Sequence, residues 1–441
     1  MPATVKSHVI NARWIVPIVP QGKILENHSI LLEDGVIKDI LPTKNLNGGY
    51  GQMEMTNLPD HLLTAGFVNA HIHSAMSLFR GYADDLSLSE WLNHHIWPAE
   101  AKFVNQSFVR DGTTLAVAEM IASGTTSAAD TYFFPEVSAK VFEENYFRAQ
   151  VGIPVLQFSN AWAKSEKEHI IKGLQFYENI RGNSLISAAF SPHAPYTVTD
   201  LGFQQVFEQA TNLGIPIHLH LHETKQEVET GLIVDGRRPY KRMEELGLLK
   251  ADLQTIHMTE LNDEEIESLY ENQIHVVHCP ESNMKLASGI CPVNKLIENG
   301  VNVALGTDGA ASNNDLDLLA EARSAAFLSK VTSGSPSSVK AEEALSMATI
   351  NGARLLGLDE RIGSLEIGKC ADIIAFDLSG ISFQPIYNPI SQLIYAANGQ
   401  DVTHTWINGE CLYKDKKFTK LNLFQLKSRV ESWQKKLGGH E

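Results

Sequence analysis

Cysteine is scarce: the 441 residues contain four, Cys279, Cys291, Cys370 and Cys411. No two form a CxxC pair and their spacings give no disulfide framework, which excludes a disulfide-stapled scaffold. Long apolar runs are missing as well. No stretch approaches the ~18 residues of a membrane span. The first twenty residues hold only the apolar stretch Trp14 to Val19, broken by Pro17, so no secretory signal is expected. The expectation is a cytoplasmic protein with free thiols, in which the sequons at Asn27 and Asn105 carry no weight. Positive charge is in deficit, 36 Lys+Arg against 52 Asp+Glu, for a net charge of −16. Neutralising phosphates needs clustered cations, so nucleic acid and anionic membrane surfaces are excluded as partners. No GxGxxG follows the first strand of the central region, which removes the dinucleotide-binding fold.

What is present is histidine. Seventeen occur, seven of them between His193 and His278, a concentration that points to metal or proton chemistry. The length suits two or three domains, or one large barrel with an appendage. Residues 4 to 66 read as short strands, with a hairpin of Ser29–Glu33 and Val36–Ile40 about an Asp34-Gly35 turn. Gly48-Gly-Tyr-Gly51 precedes no helical pattern and is read as a loop rather than a phosphate cradle. From residue 67 strands alternate with amphipathic helices. The strands are Ala65–Ala70, Thr125–Asp130, Gln150–Leu156, Leu185–Phe190, Ile215–His222, Gln254–His257, His275–His278 and Val301–Gly306. Eight strand–helix units in almost 300 residues predict a (β/α)8 TIM barrel, an α/β fold, over residues 67–363. After Gly363 short strands return and a closing helix spans Leu423–Leu437. The flanks 1–66 and 364–441 are therefore expected to form one composite β-sandwich domain.

Barrels of this kind carry their chemistry at the C-terminal ends of the strands. The first strand ends in His71-Ile-His73, and alternation puts both imidazoles on one face. The fifth strand, His218-Leu-His-Leu-His222, puts three on one face, but its outer pair lie roughly 13 Å apart and cannot share an ion. A ligand near the strand end is then His220 or His222, with Glu223 beside it, and His218 reads as a buried, hydrogen-bonded histidine. The eighth strand ends in Gly306-Thr-Asp308, an aspartate suited to ligand or base, or to a helix cap. His257 closes the sixth strand.

The set Gly66-Phe-Val-Asn-Ala-His-Ile-His73, His220-Leu-His-Glu223, His257 and Gly306-Thr-Asp-Gly309 resembles the amidohydrolase superfamily. Further segments narrow the branch: Ser74-Ala-Met-Ser-Leu-Phe-Arg-Gly81, Ser191-Pro-His-Ala-Pro-Tyr196 and His278-Cys-Pro-Glu-Ser-Asn-Met-Lys-Leu286. They are similar to the cytosine- and adenosine-type deaminases, most of all those acting on 5′-methylthioadenosine and S-adenosylhomocysteine. Binuclear relatives bridge two metals with a lysine on strand four, and Leu185 to Tyr196 contains none. The resemblance thus implies one divalent ion per subunit, zinc by ligand type with Fe²⁺ or Mn²⁺ also compatible, held by His71, His73, His220 and Asp308.

The same resemblance implies hydrolytic deamination of an adenine nucleoside: 5′-methylthioadenosine, S-adenosylhomocysteine or adenosine. Asp308 takes the proton of the attacking water, His257 orients it, and Glu223 protonates the ring nitrogen. Glu100 and His193 contact the nucleoside. Guanine, 8-oxoguanine or a triazine is the rival substrate on the same scaffold. A homocysteine tail would need a cationic partner, for which Arg148 and Arg237 are candidates. Relatives suggest a homodimer or homotetramer.

Overall fold

The computed structural model describes residues 7–46 and 53–439, so the glycine-rich loop at 48–51 lies outside the described residues. Two eight-stranded sheets organise the chain. One contains eight parallel strands in sequence order: Phe67–Ile72, Thr125–Thr131, Arg148–Val155, Ile186–Pro192, Ile217–Leu221, Leu253–His257, His275–His278 and Val303–Leu305. These are the eight predicted strands, with ends shifted by a few residues. The second to fifth read as near-continuous buried runs, because parallel strands are covered on both faces. Helices on the outside, such as Gln106–Ala122, Asp200–Leu213 and Asp263–Glu271, supply the cover. Asn105, Thr199 and Asn262 cap them by accepting from backbone N–H groups of the first turn.

Closure of the barrel matters most for the site. Asn69 on the first strand donates to Thr307 Oγ1 at 2.7 Å and accepts from the Thr307 backbone at 3.1 Å. One step further, the Asp308 backbone N–H donates to the His71 carbonyl at 3.0 Å. Gly306 makes this approach possible: a Cβ there would stand 2.8 Å from His71 Cβ and 2.9 Å from His71 N. The first and last strands thus bring together His71 and Asp308, 237 positions apart in the sequence.

The other sheet draws strands from both ends of the chain. Ser7–Val16, Leu25–Glu33, Val36–Pro42 and Glu54–Ala65 join Ile373–Asp377, Val402–Ile407, Glu410–Lys414 and Lys417–Phe418 in one mixed sheet. The hairpin about Asp34-Gly35 forms as its turn residues predict, both with positive φ. Leu423–Leu437 is a helix that lays Trp433 against Phe108 and Asp111 of the barrel's outer layer. Among the described residues, no helix is long and apolar enough to cross a membrane.

Candidate active site

The C-terminal ends of the barrel strands open into a cavity of about 400 Å³, the size of a small-ligand site. His73, His193, His220, Glu223, His257 and Asp308 all line it, and Glu100 stands in its wall. His71 lies buried behind them. Every residue expected at the site is therefore brought to this one place.

Three imidazoles and one carboxylate converge. His71 Nε2 is 3.1 Å from His220 Nε2 and 3.5 Å from Asp308 Oδ1, and His73 Nε2 is 3.3 Å from the same oxygen. Ligands of a tetrahedral ion at ~2.0–2.1 Å stand about 3.3 Å apart, so these three spacings suit a zinc-sized cation. Two triads sharing His71 are placed to hold one, His71 with His73 and Asp308 and His71 with His220 and His257. Hydrogen bonding strengthens the fit. His73 Nδ1 donates to the Thr131 carbonyl at 2.6 Å, and His220 Nδ1 to the His193 carbonyl at 2.7 Å. A carbonyl can only accept, so both Nε2 lone pairs face inward. His71 Nδ1 is 2.8 Å from His218 Nε2. Acceptors facing one another at about 3 Å need a cation between them. Burial pushes His71 and His220 well below the usual imidazole range, which keeps them neutral.

Asp308 is held on both oxygens. Oδ2 accepts from Ser282 Oγ at 2.7 Å and Ser312 Oγ at 2.9 Å, and Oδ1 from the Gly309 N–H at 2.7 Å. Burial raises this carboxyl, but the surrounding histidines, His71 first and then His73 and His257, outweigh it and hold it well below the ordinary carboxylate range. Asp308 is ionised. Glu223 is its opposite: burial and the nearby Asp308 charge raise its pKa to about 8. Two carboxyl groups in one cavity are thereby split into a base and an acid.

Backbone geometry aims these groups. His222, His257 and Asp308 all leave their strands with positive φ, between 51° and 75°, an uncommon state for non-glycine residues that turns the chain sharply at the strand end. His222 turns away from the cavity, where its Nε2 accepts from the Tyr240 N–H at 3.0 Å. The choice between His220 and His222 falls to His220. His218 is buried one layer below and hydrogen-bonded, as its position down the strand suggested. The helix over Leu88–Phe103 widens to a π-turn at Trp91–Ile96, because Pro98 has no N–H to give to the His94 carbonyl. It carries Trp91, Trp97 and Glu100 to the cavity. Tyr132 donates to Glu100 Oε1 at 2.6 Å, yet burial still raises the Glu100 pKa to about 7.

The supporting groups were not legible in advance. Ser282 holds Asp308, and Asn283 Oδ1 accepts from His257 Nδ1 at 2.8 Å. Glu227 accepts from the backbone N–H groups of His222 and Glu223 at 2.9 and 2.8 Å, fixing the Glu223 turn. Its position four residues after Glu223, on the next helix, was the available signal. Met76 lines the cavity and Phe79 is simply core. Three arginines are placed elsewhere. Arg80 pairs with Glu119, Arg148 is buried against Asp372 and Asn408, and Arg237 pairs with Glu245 and Asp200. None of them lines the cavity.

A family model described as the amidohydrolase family matches residues 62–412. Over 99% of its length the chain is 44% identical to a protein of Teredinibacter turnerae named 5-methylthioadenosine/S-adenosylhomocysteine deaminase, of which it covers 98%. A protein of Saccharophagus degradans with the same name is 45% identical over 97% of this chain and 96% of its own. Among solved structures, an adenosine deaminase from Xanthomonas campestris with bound zinc superposes with a TM-score of 0.95 at 43% identity, covering 98% of both chains. Barrel, strand-end ligands and full-length similarity agree: the chain belongs to the amidohydrolase family.

Proposed function

We propose that this chain is a zinc-dependent hydrolase that replaces the 6-amino group of a free adenine nucleoside with oxygen, releasing ammonia and the inosine analogue. The observation that carries the reading is the meeting of His71, His73, His220 and Asp308 at one end of the cavity, with the buried Glu223 and His257 beside them. The names of the relatives above support the substrate class. A zinc ion held by His71, His73, His220 and Asp308 supplies, when bound, a water acidified from 15.7 toward ~7 and positive charge near the reacting carbon.

The chain's own groups move the protons. The Asp308 carboxylate takes one from the attacking water as its oxygen bonds to C6. His257, with Nδ1 donating to Asn283, accepts a hydrogen bond from that water on Nε2 and orients it. Glu223 gives its proton to the ring nitrogen, so the electron pair displaced from the C6–N bond rests on a neutral atom. The tetrahedral carbon then collapses as the proton held on Asp308 passes to the amino group, which leaves as ammonia, while the C6 hydroxyl gives its proton back to Glu223 and becomes the carbonyl. Glu100 accepts from the sugar hydroxyls, Tyr132 fixing its Oε1. His193, whose carbonyl holds His220, presents its ring to the same cavity.

The test is ammonia release by zinc-loaded protein from adenosine, 5′-methylthioadenosine, S-adenosylhomocysteine, guanine, 8-oxoguanine and cytosine. Turnover of at least one adenine nucleoside, above all three bases, is the expected result. Turnover of a base alone overturns the reading.

A further inference from the structure

Of the three histidines His71, His73 and His220, His71 is held differently from the other two. His73 and His220 are oriented by backbone carbonyls, which no side-chain substitution removes. His71 leans on a side chain, His218 Nε2 at 2.8 Å. His218 is fully buried, and its Nδ1 lies 2.9 Å from Gln254 Oε1. Gln254, also fully buried, donates through Nε2 to the Leu355 carbonyl at 2.7 Å. Gln150 Nε2 adds a second donor to Gln254 Oε1 at 2.8 Å. Four barrel strands and the helix Ile350–Leu355 thus contribute to one buried polar column.

The column has a direction, and its fixed end sets it. The Leu355 carbonyl can only accept, so the amide nitrogen of Gln254 must point to it and the amide oxygen to His218. That oxygen can only accept, so His218 carries its proton on Nδ1. The neutral His218 then offers a lone pair on Nε2, and His71 must donate Nδ1–H to it. The remaining lone pair of His71 is therefore on Nε2, the atom that faces His220 and Asp308. Reversing any link would place a proton on that nitrogen and end its use as a ligand.

We infer that His218 and Gln254 are positioning residues for the metal: through Leu355 they fix the tautomer and ring angle of His71 and so set the zinc affinity of the site. The inference rests on His71 being a zinc ligand. Groups of this kind typically change metal affinity or activity by 10–100-fold when removed. His218 does not line the cavity, and the bond its carbonyl accepts from Ser191 Oγ at 3.1 Å is a backbone one that a side-chain substitution leaves in place.

The experiment measures zinc dissociation constants by competition with a chromophoric chelator, together with thermal unfolding of the metal-free proteins. Wild type is compared with His218→Phe, His218→Gln and Gln254→Leu. Phenylalanine fills the space without an acceptor, whereas glutamine restores an acceptor at similar reach. His218→Phe is expected to weaken zinc binding 10–100-fold, His218→Gln to stay within about threefold of wild type, and Gln254→Leu to fall between them. Gln254→Leu carries the test alone if His218→Phe does not fold. Wild-type zinc affinity in His218→Phe or, if that protein does not fold, in Gln254→Leu overturns the inference. So does equal weakening by Phe and Gln that tracks metal-free stability. Failure of the wild type to bind one zinc overturns instead the reading on which it rests.

Discussion

Glu223 Oε1 lies 3.8 Å from His257 Nε2, and both side chains are buried at the cavity wall. Glu223 stands outside both groups of side chains placed to hold a cation, His71 with His73 and Asp308 and His71 with His220 and His257, whereas His257 belongs to the second. Glu223→Gln should therefore keep stoichiometric zinc and lose turnover by about 10²–10⁴-fold, the usual worth of a positioned general acid. Elemental analysis and steady-state ammonia release check the two halves separately. Loss of zinc in this variant would move Glu223 into the ligand set.

Asp308 is predicted to behave differently, because ligand and base coincide in one carboxylate. Asp308→Asn should lose both zinc and turnover. Ser282→Ala removes one of the two hydroxyls on Oδ2 and leaves Ser312 in place. It should cost turnover by about tenfold, the ~1–1.5 kcal/mol of a lost hydrogen bond, with zinc content unchanged. Titration of zinc content against activity across both variants distinguishes them. Full zinc and near-normal rate in Asp308→Asn would remove its role as base.

The contrast between Asp308 and Ser282 shows what the sequence makes readable. His71, His73 and Asp308 announce themselves because ligand residue types sit at strand ends with a period of two. Glu100 is different: only the resemblance marks it, since a glutamate in a helix has an ordinary solvated reading. Ser282, Ser312, Gln254 and Asn283 carry no signal, because serine and amide side chains are common everywhere. Their roles arise from strand pairing and loop packing across tens of residues. Arg148 misled for the same reason, as a cation has no address until the sheets are paired. The fold was more legible than its supports, because eight buried strand runs at regular spacing specify a barrel without any tertiary detail.

Glu100 makes stability and binding oppose each other. Its pKa of about 7 in the fold, against 4.5 ordinarily, means the folded state holds the proton more tightly. Stability is therefore unaffected below about 4.5, falls as pH rises toward 7, and stays reduced above it. Glu100→Gln removes that loss. Chemical denaturation at pH 8 should show the variant more stable by on the order of 2 kcal/mol, with the two proteins converging toward pH 4. Its KM for nucleoside should rise, since the sugar hydroxyls lose an ionised acceptor. Equal stability gains at both pH values would refute the linkage.

Arg148 joins the two sheets. Its Nη2 donates to Asn408 Oδ1 at 2.6 Å and lies 3.4 Å from Asp372 Oδ2, with both charged groups almost fully buried. Arg148→Met leaves Asp372 buried and unpaired, a loss of about 3–5 kcal/mol. Arg148→Met with Asp372→Asn should recover much of it, because the amide is neutral and its oxygen still accepts from the Asn408 N–H. Denaturation midpoints of the single and double variants measure the coupling. KM for substrate should be unchanged in any variant that folds, since the pair lies outside the cavity.

Among the described residues lining the catalytic cavity and its neighbour, no cation stands free to meet a substrate tail. Past Leu88, Leu92, Trp97 and Tyr196, the catalytic cavity adjoins a second one of about 580 Å³. Neither is lined by lysine, and the one lining arginine, Arg242, is already committed. Its Nε donates to Asp200 at 2.7 Å, Nη1 to the Pro195 carbonyl at 2.5 Å and Nη2 to the Val198 carbonyl at 3.0 Å. Asp235 lines the same wall, as does Glu227, whose carboxyl is raised by burial to a pKa of about 7. A homocysteine carboxylate would lose its hydration there without a partner, at a cost of several kcal/mol, whereas a methylthio group gains from leaving water. The kcat/KM for 5′-methylthioadenosine should exceed that for S-adenosylhomocysteine by at least tenfold, with the difference carried by KM. Asp235→Asn should narrow the gap by relieving repulsion. Equal kcat/KM for the two nucleosides would show that a cation reaches the tail from outside these walls.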